Sequence, residues 1–235
     1  MKPLLLVLTL TVSLGIAGDP TATGDIISSG SGPSWQGSEY EVILWSQLPT
    51  GSAMGSQYFP DMYPDYDSGV ADDFEFAETT TIKMIRWWGG YWNGGGGPID
   101  SPVEIYLYLD DGTGNGPTLP QHTSAIQSWM IPPGSYSEVA DGVNYLCEFE
   151  FYGYVVLSAG VKYWFEIRKA FPFDPYGQYG WIQSEPVSLS PCVQGFDGLG
   201  IDWWTAQTTD AAFELVWWPN PALERSTWAE IKTIF

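Results

Sequence analysis

Histidine, cysteine and basic residues are scarce in this sequence. It has one histidine and two cysteines, and eight lysines and arginines stand against 28 aspartates and glutamates. A Ser-His-Asp or Cys-His centre would have to use His122, which follows Pro120 and Gln121 in a predicted loop. A zinc site of histidine and cysteine ligands is equally short of ligands. We therefore interpret His122 as a solvated loop residue and the chain as a non-catalytic protein. A glycan-active enzyme that uses two carboxylates is the less favoured alternative.

The charge balance and the shortness of the apolar runs exclude two classes of partner. A net charge of -20 repels phosphate backbones, so nucleic acid is not an expected partner. The apolar run over residues 4–17 is shorter than the roughly 20 residues that a membrane-spanning helix needs. It follows Lys2 and ends in small residues, which is the profile of a signal peptide. We predict a signal peptide over residues 1–17 and a secreted protein, extracellular or at the cell surface, that does not span the membrane.

The two cysteines are Cys147 and Cys192. The oxidising environment outside a cell would allow a disulfide between them. Two separate buried thiols are the alternative, because the sequence does not show whether the two Cα atoms approach each other. Both interpretations stay open at this point.

Alternation of apolar and polar side chains predicts short strands through most of the chain. Gly, Pro, Asn and Asp are concentrated between them, as in loops. The predicted strands are 40–45, 70–76, 80–88, 103–109, 125–131, 143–151, 154–157, 163–168, 179–183 and 213–217.

Two of these strands carry finer predictions. In 163–168 the odd-numbered side chains are expected to face the core, with Glu166 and Arg168 facing outward. In 80–88 the alternation slips by one residue, which predicts a β-bulge near Lys83 and Met84.

Short strands without long amphipathic helices between them favour antiparallel pairing. We predict an all-β domain over residues 39–218, a two-sheet antiparallel β-sandwich that is jelly-roll-like. Residues 18–38, rich in Ser, Gly and Thr, are predicted to be a flexible lead-in. Residues 219–235 are predicted to be a linker and a short C-terminal helical tail, because Thr227 and Glu230 match a capping box.

Several segments coincide with a familiar pattern. They are Val70–Phe76 (VADDFEF), 85–91 (IRWWGGY), 157–167 (LSAGVKYWFEI) and 211–215 (AAFEL). Together they resemble a domain of unknown function that recurs in secreted bacterial proteins, often before a C-terminal sorting or anchoring tail. The resemblance covers residues 45–217 and implies a sandwich fold and an extracellular location. It transfers no catalytic residues, and it does not extend to the anchor of many members, a Pro-Glu-Pro motif followed by an apolar helix and a basic stop.

Two acidic segments are candidate calcium sites. Asp110, Asp111 and Asn115 lie in a glycine-rich turn, and Asp72 and Asp73 form an acidic pair at the edge of a strand. Carboxylate and amide oxygens are ligands that calcium prefers, but the spacing does not match an EF-hand loop. Asp and Asn also occupy turns for local hydrogen-bonding reasons. Calcium is therefore the one cofactor considered, and ordinary turn residues are the favoured alternative.

Aromatic residues are abundant, with 13 Trp and 14 Tyr, several of them in doublets. A doublet in a strand sends one ring to each face. If Trp88, Tyr91, Trp92 and Trp203 were exposed in one plane, they would form a stacking platform for sugars. Rings that fill a thick core are the alternative.

The sequence as a whole predicts a non-catalytic cell-surface or extracellular-matrix module for adhesion, display or assembly. Extracellular polysaccharide and surface proteins are the expected partners. A carbohydrate-binding module that uses exposed Trp and Tyr is the alternative. Exposed edge strands would also support self-assembly by strand pairing.

Overall fold

The structure, a computed structural model, describes residues 41–60, 66–196 and 201–218, without the side chains of residues 201 and 202. Nearly all of the regular structure in these residues is β-strand, with a short α-helical turn, α1 (Phe173–Tyr176). The predicted signal peptide, the lead-in and the C-terminal tail lie outside the described residues. None of the helical structure that is described could span a membrane.

Eight strands form the first sheet. They are β1 (Val42–Gln47), β2 (Pro49–Gly55), β5 (Thr80–Trp92), β8 (Ser137–Asp141), β9 (Asn144–Leu157), β11 (Gln178–Ser184), β14 (Asp210–Ala211) and β15 (Phe213–Trp217). Their main order is β1-β15-β5-β11-β14, with β2 also on β11. β9 pairs with β5, and β8 pairs with β9. The long β5 is therefore the strand around which this sheet is built.

Seven strands form the second sheet. They are β3 (Gln57–Tyr58), β4 (Ser68–Glu75), β6 (Val103–Leu109), β7 (Gln127–Ile131), β10 (Lys162–Ala170), β12 (Val193–Phe196) and β13 (Ile201–Ala206). Their order is β13-β12-β4-β3-β10-β6-β7, and β10 also pairs directly with β4. The short contact between β3 and β10 is parallel and the other pairings are antiparallel. The two-sheet, mostly antiparallel sandwich is thus confirmed.

Aromatic side chains fill the space between the two sheets. Phe74 of β4 lies 6.1 Å, centroid to centroid, from Phe213 of β15. Phe165 of β10 lies 6.2 Å from Phe151 of β9. Trp181 of β11 is fully buried in the same core. Since each large ring that leaves water contributes about 1.5–3 kcal/mol, these rings are a main source of the stability of the sandwich.

The alternation predicted for β10 is correct, but its outward side is not in solvent. The odd-numbered side chains of 163–167 belong to the core between the sheets. Glu166 and Arg168 point to the other face, where they are only 0% and 5% exposed. The long connection between β6 and β7, residues 110–126, covers that face: the backbone N–H and the ring of His122 both contact side chains of the sheet. The sequence pattern correctly predicted which face of the strand each side chain occupies. It did not predict that a loop covers the outer face.

The predicted β-bulge is confirmed. The pairing of β5 with β9 changes register between Ile82 and Met84. Lys83 occupies the irregular position, and its Nζ donates to the carbonyl oxygens of Phe151 (2.9 Å) and Gly153 (3.2 Å). The lysine therefore satisfies backbone acceptors that the irregular pairing leaves without a ladder partner.

The remaining differences from the predicted strands have simple local causes. Segments 143–151 and 154–157 are one strand, β9, that continues through the irregular stretch. β13 (IDWWTA) contains strand-forming residues and was missed, whereas the other strands that were not predicted, β2, β3, β8, β12 and β14, are short or rich in Gly, Ser and Asp. These residues have low strand propensity, and here strand pairing decides the structure.

Candidate functional site

His122 is a packed residue, so its interpretation as a solvated loop residue is wrong. Its Nε2 lies 3.0 Å from Glu166 Oε1, and its ring centroid lies 4.5 Å from that of Tyr106. The residue has a left-handed backbone with φ of 59°, and its backbone N–H donates to Tyr108 Oη at 2.9 Å. His122 therefore attaches the covering loop to the outer face of the second sheet at two points.

Glu166 is the fully buried partner of this histidine. Tyr108 Oη donates to its Oε2 at 2.6 Å. Burial by itself would raise the pKa of Glu166, but the hydrogen bond and charge of His122, the charge of Arg168 and the bond from Tyr108 outweigh it and hold the pKa below its ordinary value. Room for the carboxylate exists because residue 69 is glycine, since a Cβ there would collide with it. Glu166 is thus an ionised carboxylate held inside the protein.

Arg168 extends the same cluster along the sheet. Its Nε lies 2.6 Å from Glu104 Oε2, and its guanidinium lies over the rings of Tyr58 and Tyr106, at 5.3 and 5.7 Å from their centroids. A histidine–carboxylate pair can serve as a general acid–base pair. In this geometry the pair holds a loop against a sheet, because the carboxylate lies beneath the loop and is closed off from solvent.

A second buried ionic cluster lies between the two sheets. Lys169 is 0% exposed. Its Nζ donates to Tyr91 Oη (2.6 Å), Ile99 O (2.8 Å) and Glu138 Oε2 (2.7 Å). These three acceptors match the three N–H donors of an ammonium group.

Aromatic rings complete the surroundings of Lys169. The rings of Tyr91, Tyr136 and Tyr179 lie 5.2, 5.2 and 5.3 Å from Nζ, within cation–π range. Burial, followed by the charge of Glu138, raises the pKa of Tyr91. Tyr91 therefore stays protonated and donates to Glu138 Oε1 at 2.6 Å while it accepts from the lysine.

Each Lys and Arg among the described residues is in an ion pair with a carboxylate. The residues are Lys83, Arg86, Lys162, Arg168 and Lys169. The exposed fraction of their side chains is at most 20%. Since the chain carries 28 acidic residues, the positive charge of this part of the molecule is used internally and its outer surface is anionic.

The first predicted calcium segment is a turn held by its own hydrogen bonds. Asp110 Oδ2 accepts from the backbone N–H groups of Gly112 and Gly114 at 2.8 and 2.9 Å. Asp111 Oδ1 accepts from the backbone and hydroxyl of Thr113, and Asn115 Nδ2 donates to Thr113 O. These are the local bonds by which Asp and Asn stabilise turns.

The two aspartates of the second predicted calcium segment have different partners. Asp72 Oδ2 accepts from Ala211 N of the first sheet at 2.7 Å. Asp73 Oδ2 lies 2.7 Å from Lys162 Nζ, which also donates to Gly114 O of the first segment. The ammonium group of Lys162 therefore lies between Asp73 and the glycine-rich turn. Over the described stretches no group of three or more His, Cys, Asp or Glu side chains is arranged to hold a metal ion.

The four aromatic residues predicted to bind sugars do not form one platform. Trp88 is 6% exposed, and its Nε1 donates to Asp141 Oδ2. Tyr91 belongs to the lysine cluster described above. Trp92 is partly buried and packs over Gly180. Trp203 is 53% exposed, but it lies on β13 in the other sheet. Of the rings in the doublets, Trp87 and Trp88 are buried, Trp203 is exposed and the others are partly buried, so neither a single platform nor a core filled by all of them describes the structure.

Exposed aromatic surface lies on β9 instead. Tyr152, Tyr154 and Val156 are 79%, 44% and 65% exposed, and we refer to these three residues as the β9 strip. Lys83 Nζ lies 5.3 Å from the ring centroid of Tyr154. Sequence reasoning missed the strip because two separate strands, 143–151 and 154–157, were predicted here, which leaves Tyr152 and Gly153 between them. No local sequence signal connects Tyr152 and Tyr154 to the bulge predicted near Lys83, because only the pairing of β5 with β9 brings them together.

The two cysteines are free thiols, so the hypothesis of a disulfide between them is not supported. Both are 0% exposed. Cys147 lies on β9 in the first sheet. Cys192 precedes β12 in the second sheet and lies 3.5 Å, Sγ to Sδ, from Met54. The second interpretation, two separate buried thiols, describes the structure.

Comparison with known proteins does not assign this chain to a family. The chain matches no family model, no curated protein and no solved structure. The class that the residues themselves define is an all-β, two-sheet sandwich with two buried ionic clusters, an anionic surface and an exposed aromatic strip.

Proposed function

We propose that this protein is an extracellular, non-catalytic sandwich module that acts at a cell surface or in a matrix by adhesion, display or assembly. The observation that carries the proposal is that its buried ionisable side chains hold parts of the fold together. His122 holds a loop to the second sheet, and Lys169 joins the two sheets. Side chains that could perform chemistry are engaged in holding the sandwich together, and exposed aromatic groups are left for contact with a partner.

The sequence supports the extracellular part of the proposal. Residues 1–17 have the profile of a signal peptide, and residues 45–217 resemble a domain of secreted bacterial proteins. The buried ion pairs suit a module that must keep one fold outside the cell, since removing either partner would leave an isolated charge in the interior.

A two-part experiment tests the proposal. Residues 1–40 are fused to a reporter enzyme that is active only after export, and a matched fusion lacks residues 4–16. We expect activity from the first fusion and none from the second. The purified chain, immobilised on beads, is then presented to bacterial cells and to extracted matrix, and bead retention is measured against beads that carry the heat-unfolded chain. Equal retention of both bead types, or no export, would contradict the proposal.

Carbohydrate binding is the second candidate, and the exposure of Trp203 and Tyr152 favours it, because aromatic faces stack on sugars. A glycan array with the wild-type chain and with Trp203→Ala separates it from the first candidate. Saturable binding to one glycan class that Trp203→Ala weakens would favour a carbohydrate-binding module. A flat array response would leave adhesion through other partners.

A further inference from the structure

Among the described residues, the outer part of β9 has no neighbouring strand on one side and so forms an edge. β8 pairs with Asn144–Glu148 of β9. From Phe149 to Leu157, the strand pairings of the described residues involve β5 alone. An edge of this kind presents backbone N–H and C=O groups that can pair with another extended chain.

The side chains at this edge do not protect it from pairing. Proteins commonly place a lysine on an exposed edge to prevent association. The lysine nearest to the β9 strip, Lys83, points instead into the bulge, where it binds Phe151 O, Gly153 O and Glu150. The exposed groups that remain are the rings of Tyr152 and Tyr154 and the aliphatic Val156. The bulge opposite Lys83 is itself a device that proteins use at edges, but the rest of this edge has no lysine and carries exposed apolar side chains, and such a surface is suited to strand addition.

The negative charge of the molecule determines which kind of polypeptide segment can pair with this edge. Every described Lys and Arg is neutralised within the fold, and the whole chain has a net charge of -20. A second copy of this chain or an acidic peptide is repelled by that field, and a basic segment is attracted to it. Glu150 beside the strip is already paired with Lys83, so the attraction comes from the net charge of the whole molecule.

From these observations we infer that the β9 strip binds an extended, basic polypeptide segment, which adds as a strand along Phe149–Leu157. Backbone hydrogen bonds supply the pairing, the two tyrosine rings and Val156 contact alternate side chains of the segment, and the acidic surface attracts its lysines or arginines. The inference rests on the proposed function, since it names the partner chemistry of an adhesion or assembly module.

The test uses the full chain and three fluorescein-labelled octapeptides. The first alternates Lys and Val, the second alternates Glu and Val, and the third is the Lys-Val peptide with alternate backbone nitrogens methylated on the pairing edge. Fluorescence anisotropy gives the Kd of each peptide. We expect the Lys-Val peptide to bind at least about tenfold more tightly than the other two. Equal binding of the methylated peptide would overturn strand addition, and equal binding of the Glu-Val peptide would overturn the charge argument.

Variants locate the site. The double variant Tyr152→Ser/Tyr154→Ser should weaken binding of the Lys-Val peptide by about tenfold or more, because exposed aromatic residues dominate such contacts. Tyr176→Ser is the matched control, since Tyr176 and Tyr154 are both 44% exposed, and it should leave Kd unchanged. Unchanged thermal midpoints show that the variants are folded. If the double variant binds as wild type does, the strip is not the site.

Two further measurements separate this inference from the function on which it rests. Sedimentation of the free chain should show a monomer at low salt, and concentration-dependent association that the double variant abolishes would assign the edge to a second copy and overturn the inference. If the double variant is retained on cells as well as wild type is, adhesion stands and the inference fails. If neither the wild-type chain nor the double variant is retained better than the unfolded control, the result contradicts the proposed function itself.

Discussion

Lys169 Nζ lies 2.7 Å from Glu138 Oε2 in the interior of the sandwich and so joins β10 of the second sheet to β8 of the first. Both side chains are nearly or fully removed from solvent, at 0% and 6% exposure. Removing two charges from water is costly, and the pair is tolerated because each donor and acceptor is matched. The pair connects the two sheets, and removing either partner alone would leave the other charge buried without compensation.

Lys169→Met should lower the free energy of unfolding by about 3–5 kcal/mol, because the Glu138 carboxylate would stay buried without its cation. The double variant Lys169→Met/Glu138→Gln should recover part of this loss, since it removes both charges. Urea denaturation measures both values. Lys83→Met is the comparison variant: its partner Glu150 is 36% exposed, and the carbonyl oxygens of Phe151 and Gly153 also lose their donor, so a loss of about 1–2 kcal/mol is expected. A loss for Lys169→Met as small as that of the comparison variant would contradict the role given to the buried pair.

Glu166→Gln should lower stability most at neutral pH. The pKa of Glu166 in the folded protein lies below the ordinary value of 4.5, so its ionised form stabilises the fold above that pH, and the contribution is lost as the pH falls through the folded pKa. We expect a loss of about 1–3 kcal/mol at neutral pH, the range for a hydrogen bond to a charged group. Urea unfolding as a function of pH should show the two proteins converging in acid. A difference that stays constant down to the lowest pH would contradict this account.

The contrast between Glu166 and Lys169 shows how far the sequence could predict this fold. Alternation in 163–168 placed Glu166 on the outer side of its strand, which is correct. The alternation could not show that a loop covers that side. The same alternation, continued by one step, would have placed Lys169 among the core-facing residues. The predicted strand ends at Arg168, and a charged residue at the next inward position conflicts with burial unless partners exist. Those partners come from β5, β8 and a loop, and such distant contacts leave no local trace in the sequence.

The predicted platform of four exposed rings was wrong for a related reason. Trp88 and Tyr91 were chosen for their residue type, but whether a ring is exposed depends on which strands and loops cover it. The bulge at Lys83 was predicted correctly because it follows from local periodicity. Tyr152 and Tyr154 lie opposite this bulge on β9, which is distant in sequence. Only the pairing of β5 with β9 connects them to Lys83.

Asp210→Asn should raise stability at neutral pH. Asp210 is 0% exposed and its Oδ1 has no hydrogen-bond partner, while Oδ2 accepts from Gln47 and the backbone of Ser188. Burial raises the pKa of Asp210 above 3.8, and the charge of Asp210, after burial, helps to raise the pKa of Asp72. An acid whose pKa is raised in the folded protein destabilises the fold once the pH exceeds its ordinary pKa.

The expected gain for Asp210→Asn is about 1 kcal/mol at neutral pH, since the carbonyl oxygen of Asn keeps the bonds of Oδ2 and the buried charge is removed. The gain should shrink as the pH falls toward 3.8, where wild-type Asp210 becomes protonated in both states. Thermal unfolding across this pH range measures it. Glu78→Gln, at an exposed position, removes one negative charge without removing a buried one. A gain equal to that of this control would mean that net charge, rather than burial, is responsible.

Cys147 and Cys192 should resist modification until the sandwich opens. Burial is the largest cause of the raised pKa of each thiol, and only the thiolate reacts quickly. Labelling of the native chain with an aromatic disulfide reagent, without reductant, should be at least about a hundredfold slower than labelling of the unfolded chain, because it must wait for opening of the core. The unfolded chain should then titrate two thiols. A titration of none would mean that the cysteines pair in the exported protein, and the separate placement of Cys147 and Cys192 in the two sheets would then be wrong.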